Sequence, residues 1–244
     1  MDTNKGHANA RVIAEVAIAA PVERVWEALR DPRQVRRWFG WDYEGIEAEI
    51  DEIFGERATA DDDEHDLRFA DGDRYRLRPL QGGTLVQVTR AALGDGPGPD
   101  GGYDEIDEGW LTFTQQLRFL LERHDGQDRR TLFLDGAARS PAAFPPADAL
   151  GIGALASVLP GDLYRTATAL GEELGGEVWF RSDNQLGVTV DGWGDALLIL
   201  LAVPPGARSE HGGAQLVVTT YGLPGVAFLE LRERWEAWWS QRYG

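Results

Sequence analysis

The sequence predicts an α+β protein in which an antiparallel sheet is wrapped on one long C-terminal helix, and it predicts this arrangement twice, the first copy with a shortened sheet. Three observations carry the expectation. An alternating segment (Val12, Glu15, Val16, Ile18) runs straight into an amphipathic helix. A β-rich middle is then closed by a longer amphipathic helix opening at Gly109-Trp110. The order of strands followed by one helix returns in the second half and ends the chain.

Each element has its own reason. Val22, Val25, Trp26 and Leu29 recur at i, i+3, i+4 and i+7, and Pro21 suits a first helical turn, where its missing N–H has no partner to lose. Asp31-Pro32 is read as a stop. Ile46, Ile50, Ile53 and Phe54 follow helical spacing after Trp41-Asp42-Tyr43, which is why the first sheet is expected to be short. Strands are expected at 66–69, 74–80 and 84–92, separated by Asp71-Gly72-Asp73 and Gln81-Gly82-Gly83, both turn sequences. The acidic run Asp61-Asp62-Asp63-Glu64 lacks the spaced ligands and distal Glu of a calcium loop and is read as a solvated turn. The Gly- and Pro-rich stretch Gly94 to Gly102 has no lysine and is not a phosphate loop, so it is a connection. The closing helix places Trp110, Phe113, Thr114, Leu117 and Leu121 on one face, with Gln115, Arg118 and Glu122 opposite.

These pieces together resemble the START-like (SRPBCC, Bet v 1-like) superfamily, and within it the group of the activator of Hsp90 ATPase. The resemblance rests on Pro21, Val25, Trp26, Leu29, Asp31, Pro32, Trp38, Phe39, Gly109, Trp110, Leu117, Leu120, Leu121 and Glu122, and covers roughly residues 10 to 124. It implies a helix-grip fold. That fold hosts lipid carriers, cyclases and co-chaperones, so it implies no single activity.

The second half repeats the order. A composition shift between residues 126 and 146 (Arg129-Arg130, Arg139-Ser140-Pro141, Pro145-Pro146) is read as a linker with a short strand at 131–134, which separates domains at 8–125 and 147–244. A helical stretch at 147–159, strands at 163–170, 177–182, 186–190, 196–203 and 215–221, and a helix over 225–241 follow. The segment Gly82 to Leu93 aligns without gaps on Gly212 to Leu223, sharing both glycines, a valine, a threonine and the leucine. That match, at the same place before the last helix, points to a divergent tandem repeat.

Composition narrows the chemistry. The net charge is −17 with 41 acidic and 24 basic residues, so no basic surface meets a nucleic-acid backbone or an anionic membrane. There is no cysteine, hence no disulfide and no thiolate site, and no cofactor or metal is expected. The N-terminus lacks a signal-peptide core and the longest apolar run, Ala196 to Val203, is too short to span a bilayer, so no membrane insertion and a cytoplasmic location are expected. The four histidines (His7, His65, His124, His211) have no metal-ligand spacing, and no serine sits in a Gly-x-Ser-x-Gly context.

The candidate site is aromatic. Phe228, Leu231, Trp235, Trp238 and Trp239 form one stripe of the last helix, and Trp110, Phe113 and Leu117 form another. Either stripe packs its sheet or lines an apolar cavity. The candidate cavity residues are Trp38, Phe39, Trp41, Tyr75, Trp110, Phe113 and Leu117 in the first half, and Trp179, Phe228, Trp235 and Trp239 in the second. The leading expectation is a non-enzymatic module for a small hydrophobic molecule. An Hsp90-activator-like partner of a chaperone is one alternative. The other is a polyketide aromatase/cyclase, in which Arg90, Tyr75, Tyr43 and Asp42 would act on a bound chain.

Overall fold

A computed structural model describes residues 10–91 and 103–244, so the connection at Gly94 to Gly102, His7 and the last two positions of the aligned Gly82 to Leu93 segment lie outside the described residues. The chain forms two compact units, one up to Gly126 and one from Gln127. Both are α+β with an antiparallel sheet and a closing helix.

In the first unit, β1 (Arg11–Ile18) leads into α1 (Val22–Arg30), which buries Val25, Trp26, Ala28 and Leu29. The expected stop falls after Arg30, and the next residue, Asp31, is extended. Its side chain accepts from the Arg33 N–H at 2.9 Å and caps a second short helix, α2 (Pro32–Val35), with Pro32 at its first position. The helical spacing at Ile46 to Phe54 becomes α3 (Ile46–Ile50) continued by a π-helical turn (Asp51–Glu56). Four strands follow: β2 (Ala58–Asp61), β3 (Asp66–Phe69), β4 (Arg74–Leu80) and β5 (Gly83–Arg90). The strand order is β1-β5-β4-β3-β2, so the first strand lies beside the last. The closing helix α4 (Glu105–Arg123) starts before Gly109-Trp110, because Asp104 accepts from the N–H groups of Ile106 (2.9 Å) and Asp107 (3.2 Å).

In the second unit the segment expected as a linker is structured, and the short strand expected at 131–134 is the middle of a longer one. β6 (Arg129–Ala137) is the first strand of the second sheet and pairs with the last over its whole length. After it come a 3-10 turn (Pro141–Ala143), α5 (Pro146–Leu150), a second 3-10 turn (Gly153–Ser157), β7 (Leu163–Ala167), β8 (Glu173–Arg181), β9 (Gln185–Val190), β10 (Ala196–Val203) and β11 (Gly213–Tyr221). The helix α6 (Gly225–Ser240) closes the unit. The order β6-β11-β10-β9-β8-β7 again places the first strand beside the last.

One close approach recurs at the same register position. Gly82 (φ +84°) and Gly212 (φ +78°) occupy the left-handed region that lets the chain turn into the last strand. The next residue presses on the first strand: a Cβ on Gly83 would fall 2.2 Å from the Ile18 carbonyl oxygen, and one on Gly213 would fall 2.8 Å from that of Gly136. Ile18 pairs with Thr84 and Gly136 with Ala214, the residues that follow these glycines. The two glycine pairs of the alignment therefore hold the same place in their sheets.

Candidate functional site

The aromatic residues of the first unit converge, but they do different work. Trp38 donates its indole N–H to the Ala28 carbonyl at 2.9 Å and meets Phe39, Phe54 and Tyr75 edge-on at 5.9, 5.6 and 6.4 Å. Phe69 stacks on Trp110 at 5.2 Å and 25°, and Tyr75 meets the same indole edge-on at 5.5 Å. Trp38, Tyr75 and Leu117 are 0 % exposed, so none of them borders a space that admits a water molecule. They fill the interior rather than line it. The outer part of the cluster differs: Phe39 and Trp110 retain a few per cent of their surface, and Trp41 and Phe113 are only partly buried. Phe113 lies 4.8 Å from Phe39, 6.3 Å from Trp110 and 6.1 Å from Trp41. These four rings form a continuous aromatic wall. Phe54, from the stripe Ile46 to Phe54, and Phe69, at the end of β3, back this wall; the sequence marks both only as parts of their elements, since helical or strand spacing does not show which ring a side chain will meet.

A polar thread crosses this interior. The Thr114 hydroxyl donates to the Trp110 carbonyl at 2.7 Å, so the Tyr75 hydroxyl, 3.0 Å away, donates to Thr114 Oγ1. Burial pushes the Tyr75 phenol above its ordinary range, with Thr114 pulling the other way. The Trp110 indole N–H donates to Asp73 Oδ2 at 2.9 Å. Burial, with Asp71 nearby, raises the Asp73 carboxyl even though the Trp110 N–H and Arg90 favour its charged form.

Arg90 is a buried strand arginine, 8 % exposed. Its Nη1 contacts Asp104 at 2.9 Å and Asp107 at 2.8 Å, and its Nε lies 3.5 Å from Asp73. The guanidinium thus ties the end of β5 to the start of both β4 and α4. Asp104 and Asp107 sit in the first turn of what the sequence spacing marked only from Gly109, and the Asp-x-x-Asp step ahead of the apolar run is the signal that finds them. The other groups of the cyclase expectation are also engaged: Asp42 pairs with Arg36 at 2.7 Å, and the Tyr43 hydroxyl donates to Glu49. Partial burial and Glu49 push Tyr43 up to about 12.

In the second unit Phe228, Leu231, Trp235, Trp238 and Trp239 all join the apolar cluster packed between α6 and its sheet. Trp235 is 0 % exposed, meeting Trp193 edge-on at 5.4 Å. Trp239 lies 4.2 Å from Tyr243, whose hydroxyl donates to the Ala143 carbonyl at 2.5 Å. This stripe is core, and both Trp238 and Trp239 are buried within it. Trp179 is 2 % exposed but lies outside that cluster. Among the described residues, no group of three His, Cys, Asp or Glu side chains is placed to hold a metal, and no helix is long and apolar enough to cross a membrane.

No protein-family model matches the chain, and no curated protein matches it. Solved structures do. The crystal structure of DynU16, from the dynemicin biosynthetic locus, aligns at 18% identity over 96% of each chain with a TM-score of 0.29. The di-domain ARO/CYC StfQ of the steffimycin pathway aligns at 12% identity over 93% of this chain and 91% of its own, with a TM-score of 0.37. The di-domain ARO/CYC BexL of the BE-7585A pathway aligns at 14% identity over 91% of this chain and 88% of its own, with a TM-score of 0.32.

Proposed function

We propose that the chain is a tandem START-like protein whose first unit holds a flat, small hydrophobic molecule against the wall of Phe39, Trp41, Trp110 and Phe113. The tandem reading is supported by the shared strand order and by the glycine pairs that start the last strand of each sheet at equivalent register. The observation that carries the binding reading is the gradient of burial across one aromatic cluster. Trp38 and Tyr75 are sealed, while the contiguous rings of Trp41 and Phe113 keep accessible face. Accessible rings on a rigid, buried support offer area to an apolar ligand without first being ordered.

Binding without turnover is the reading the polar groups favour. Arg90, Asp42, Tyr43 and Tyr75 are each held by an intramolecular partner, so a bound carbonyl would have to displace a carboxylate or a hydroxyl to reach any of them. A ligand site of this kind is tested by titrating the full chain with the neutral fluorophore N-phenyl-1-naphthylamine. Phe113→Ala is expected to weaken binding about ten-fold or more, the scale of one aromatic contact and its buried area. Tyr75→Phe, which keeps the ring, is expected to leave it within about two-fold. Equal affinity for wild type and Phe113→Ala would overturn the assignment.

A further inference from the structure

The second unit carries a recess distinct from the aromatic wall of the first. It is a cleft of about 300 Å³ between α5 with its following 3-10 turn and the ends of β9 and β10, at the lower end of the range for small-molecule sites. Its floor is apolar: Leu186 and Leu200 are buried, and Ala202 and Ala156 continue the lining. Its polar side is Ser182, Asn184 and Gln185 with two exposed carboxylates, Asp148 on α5 and Asp183 in the β8–β9 turn; these are the charged groups of its lining, which includes no Lys or Arg. Arg181, close by in sequence, donates its Nη1 to the Ala156 carbonyl at 2.6 Å.

Asp148 reaches the cleft from α5. Its carboxylate lies so close over Gly153 that a Cβ there would fall 1.6 Å from Asp148 Oδ1. Asp148 is itself exposed, and Gly153 lines the same cleft. An apolar floor beside two carboxylates disfavours anions and rewards a cation carried on a flat hydrophobic body.

We propose that this cleft binds a small aromatic or alicyclic amine, its ring system on Leu186, Leu200 and Ala202 and its ammonium between Asp148 and Asp183. The site lies wholly within the second unit and does not rest on the reading of the first.

The test is isothermal titration of the full chain with two probes of one shape and opposite charge, 1-naphthylmethylamine and 1-naphthylacetate. It is run at 0.15 M salt, where the Debye length of about 8 Å screens the general acidity of the surface. The amine is expected to bind about ten-fold tighter than the carboxylate, the scale of one charge-assisted hydrogen bond. Combined Asp148→Asn and Asp183→Asn is expected to bring the two probes within about three-fold of each other. Ala156→Trp, at an exposed position on the lining, is expected to remove amine binding, and Ala202→Phe serves as an independent block from the sheet side. Equal binding of both probes by wild type, a preference that survives the double Asn variant, or amine binding that is lost in Phe113→Ala but kept in both blocking variants would overturn the proposal.

Discussion

At Asp66 and Asp73 two buried carboxylates of the first unit respond to pH in opposite directions. Asp66 is 1 % exposed; burial alone would raise its carboxyl, but hydrogen bonds from Arg74 and Arg68 more than offset this and hold it below the ordinary range. A depressed folded value contributes stability above the unfolded value of about 4 and loses it as pH falls through the folded one. Asp73 is raised, so its contribution has the other sign: it is most favourable in acid and is lost as pH rises from the unfolded value through the folded one. Urea midpoints across pH 3 to 7 are therefore expected to show Asp73→Asn gaining on wild type as pH rises above the unfolded carboxylate value of about 4. Asp66→Asn is expected to lose about 3 kcal/mol at pH 7, because Arg74 keeps its charge without the partner, and to lose less at pH 3. Neither behaviour was legible in the sequence. Asp73 reads there as part of an Asp-Gly-Asp turn and Asp66 as the first residue of a strand, and only the fold brings Trp110, Arg90 and Arg74 to them.

The elements show where local pattern suffices and where it does not. β1, α1, β3, β4, β10 and α6 fall at or near the positions their periodicity marks, because each buries one regular stripe or a continuous apolar run. β2 (Ala-Thr-Ala-Asp) has neither branched nor aromatic residues beyond one threonine, and it exists because β3 offers an edge to pair with. Of β6 only 131–134 is legible, because its start at Arg129-Arg130 is charged and prolines follow beyond its end, yet β11 pairs with it from Arg129 to Ala137. For the candidate site, the residue types were legible and the division of labour was not. Trp38, Tyr75 and Leu117 look like wall residues until their neighbours Phe54, Phe69 and Thr114 are in place. Two substitutions probe the elements. Asp104→Ala removes both the cap of α4 and a partner of Arg90, and is expected to lower stability by about 1 to 2 kcal/mol in urea unfolding. Gly83→Ala sets a methyl against the Ile18 backbone, which cannot move without breaking the β1–β5 ladder, and is expected to cost about 2 kcal/mol or more, whereas Gly82→Ser is limited to the smaller penalty of its positive φ.

Over the whole molecule, a net charge of −17 sets a background of self-repulsion against which the packed interiors hold. Raising ionic strength from about 0.01 to 0.15 M shortens the Debye length from about 30 to 8 Å, and the thermal midpoint is expected to rise over that interval. A flat or falling midpoint would mean that the surface ion pairs, such as Arg36 with Asp42 and Glu47, outweigh the repulsion. The two units repeat one strand order with unequal interiors: the second is packed solid with tryptophan beneath α6, and the first grades from sealed rings to accessible ones. Ligand capture at that accessible edge is the central claim. The measurement that addresses it most directly is native mass spectrometry of the full chain purified from its own host, wild type beside Phe113→Ala. The expected result is a discrete small apolar adduct on wild type, released on denaturation and absent from the variant; a clean mass for both proteins, or an adduct retained equally by both, would contradict the account.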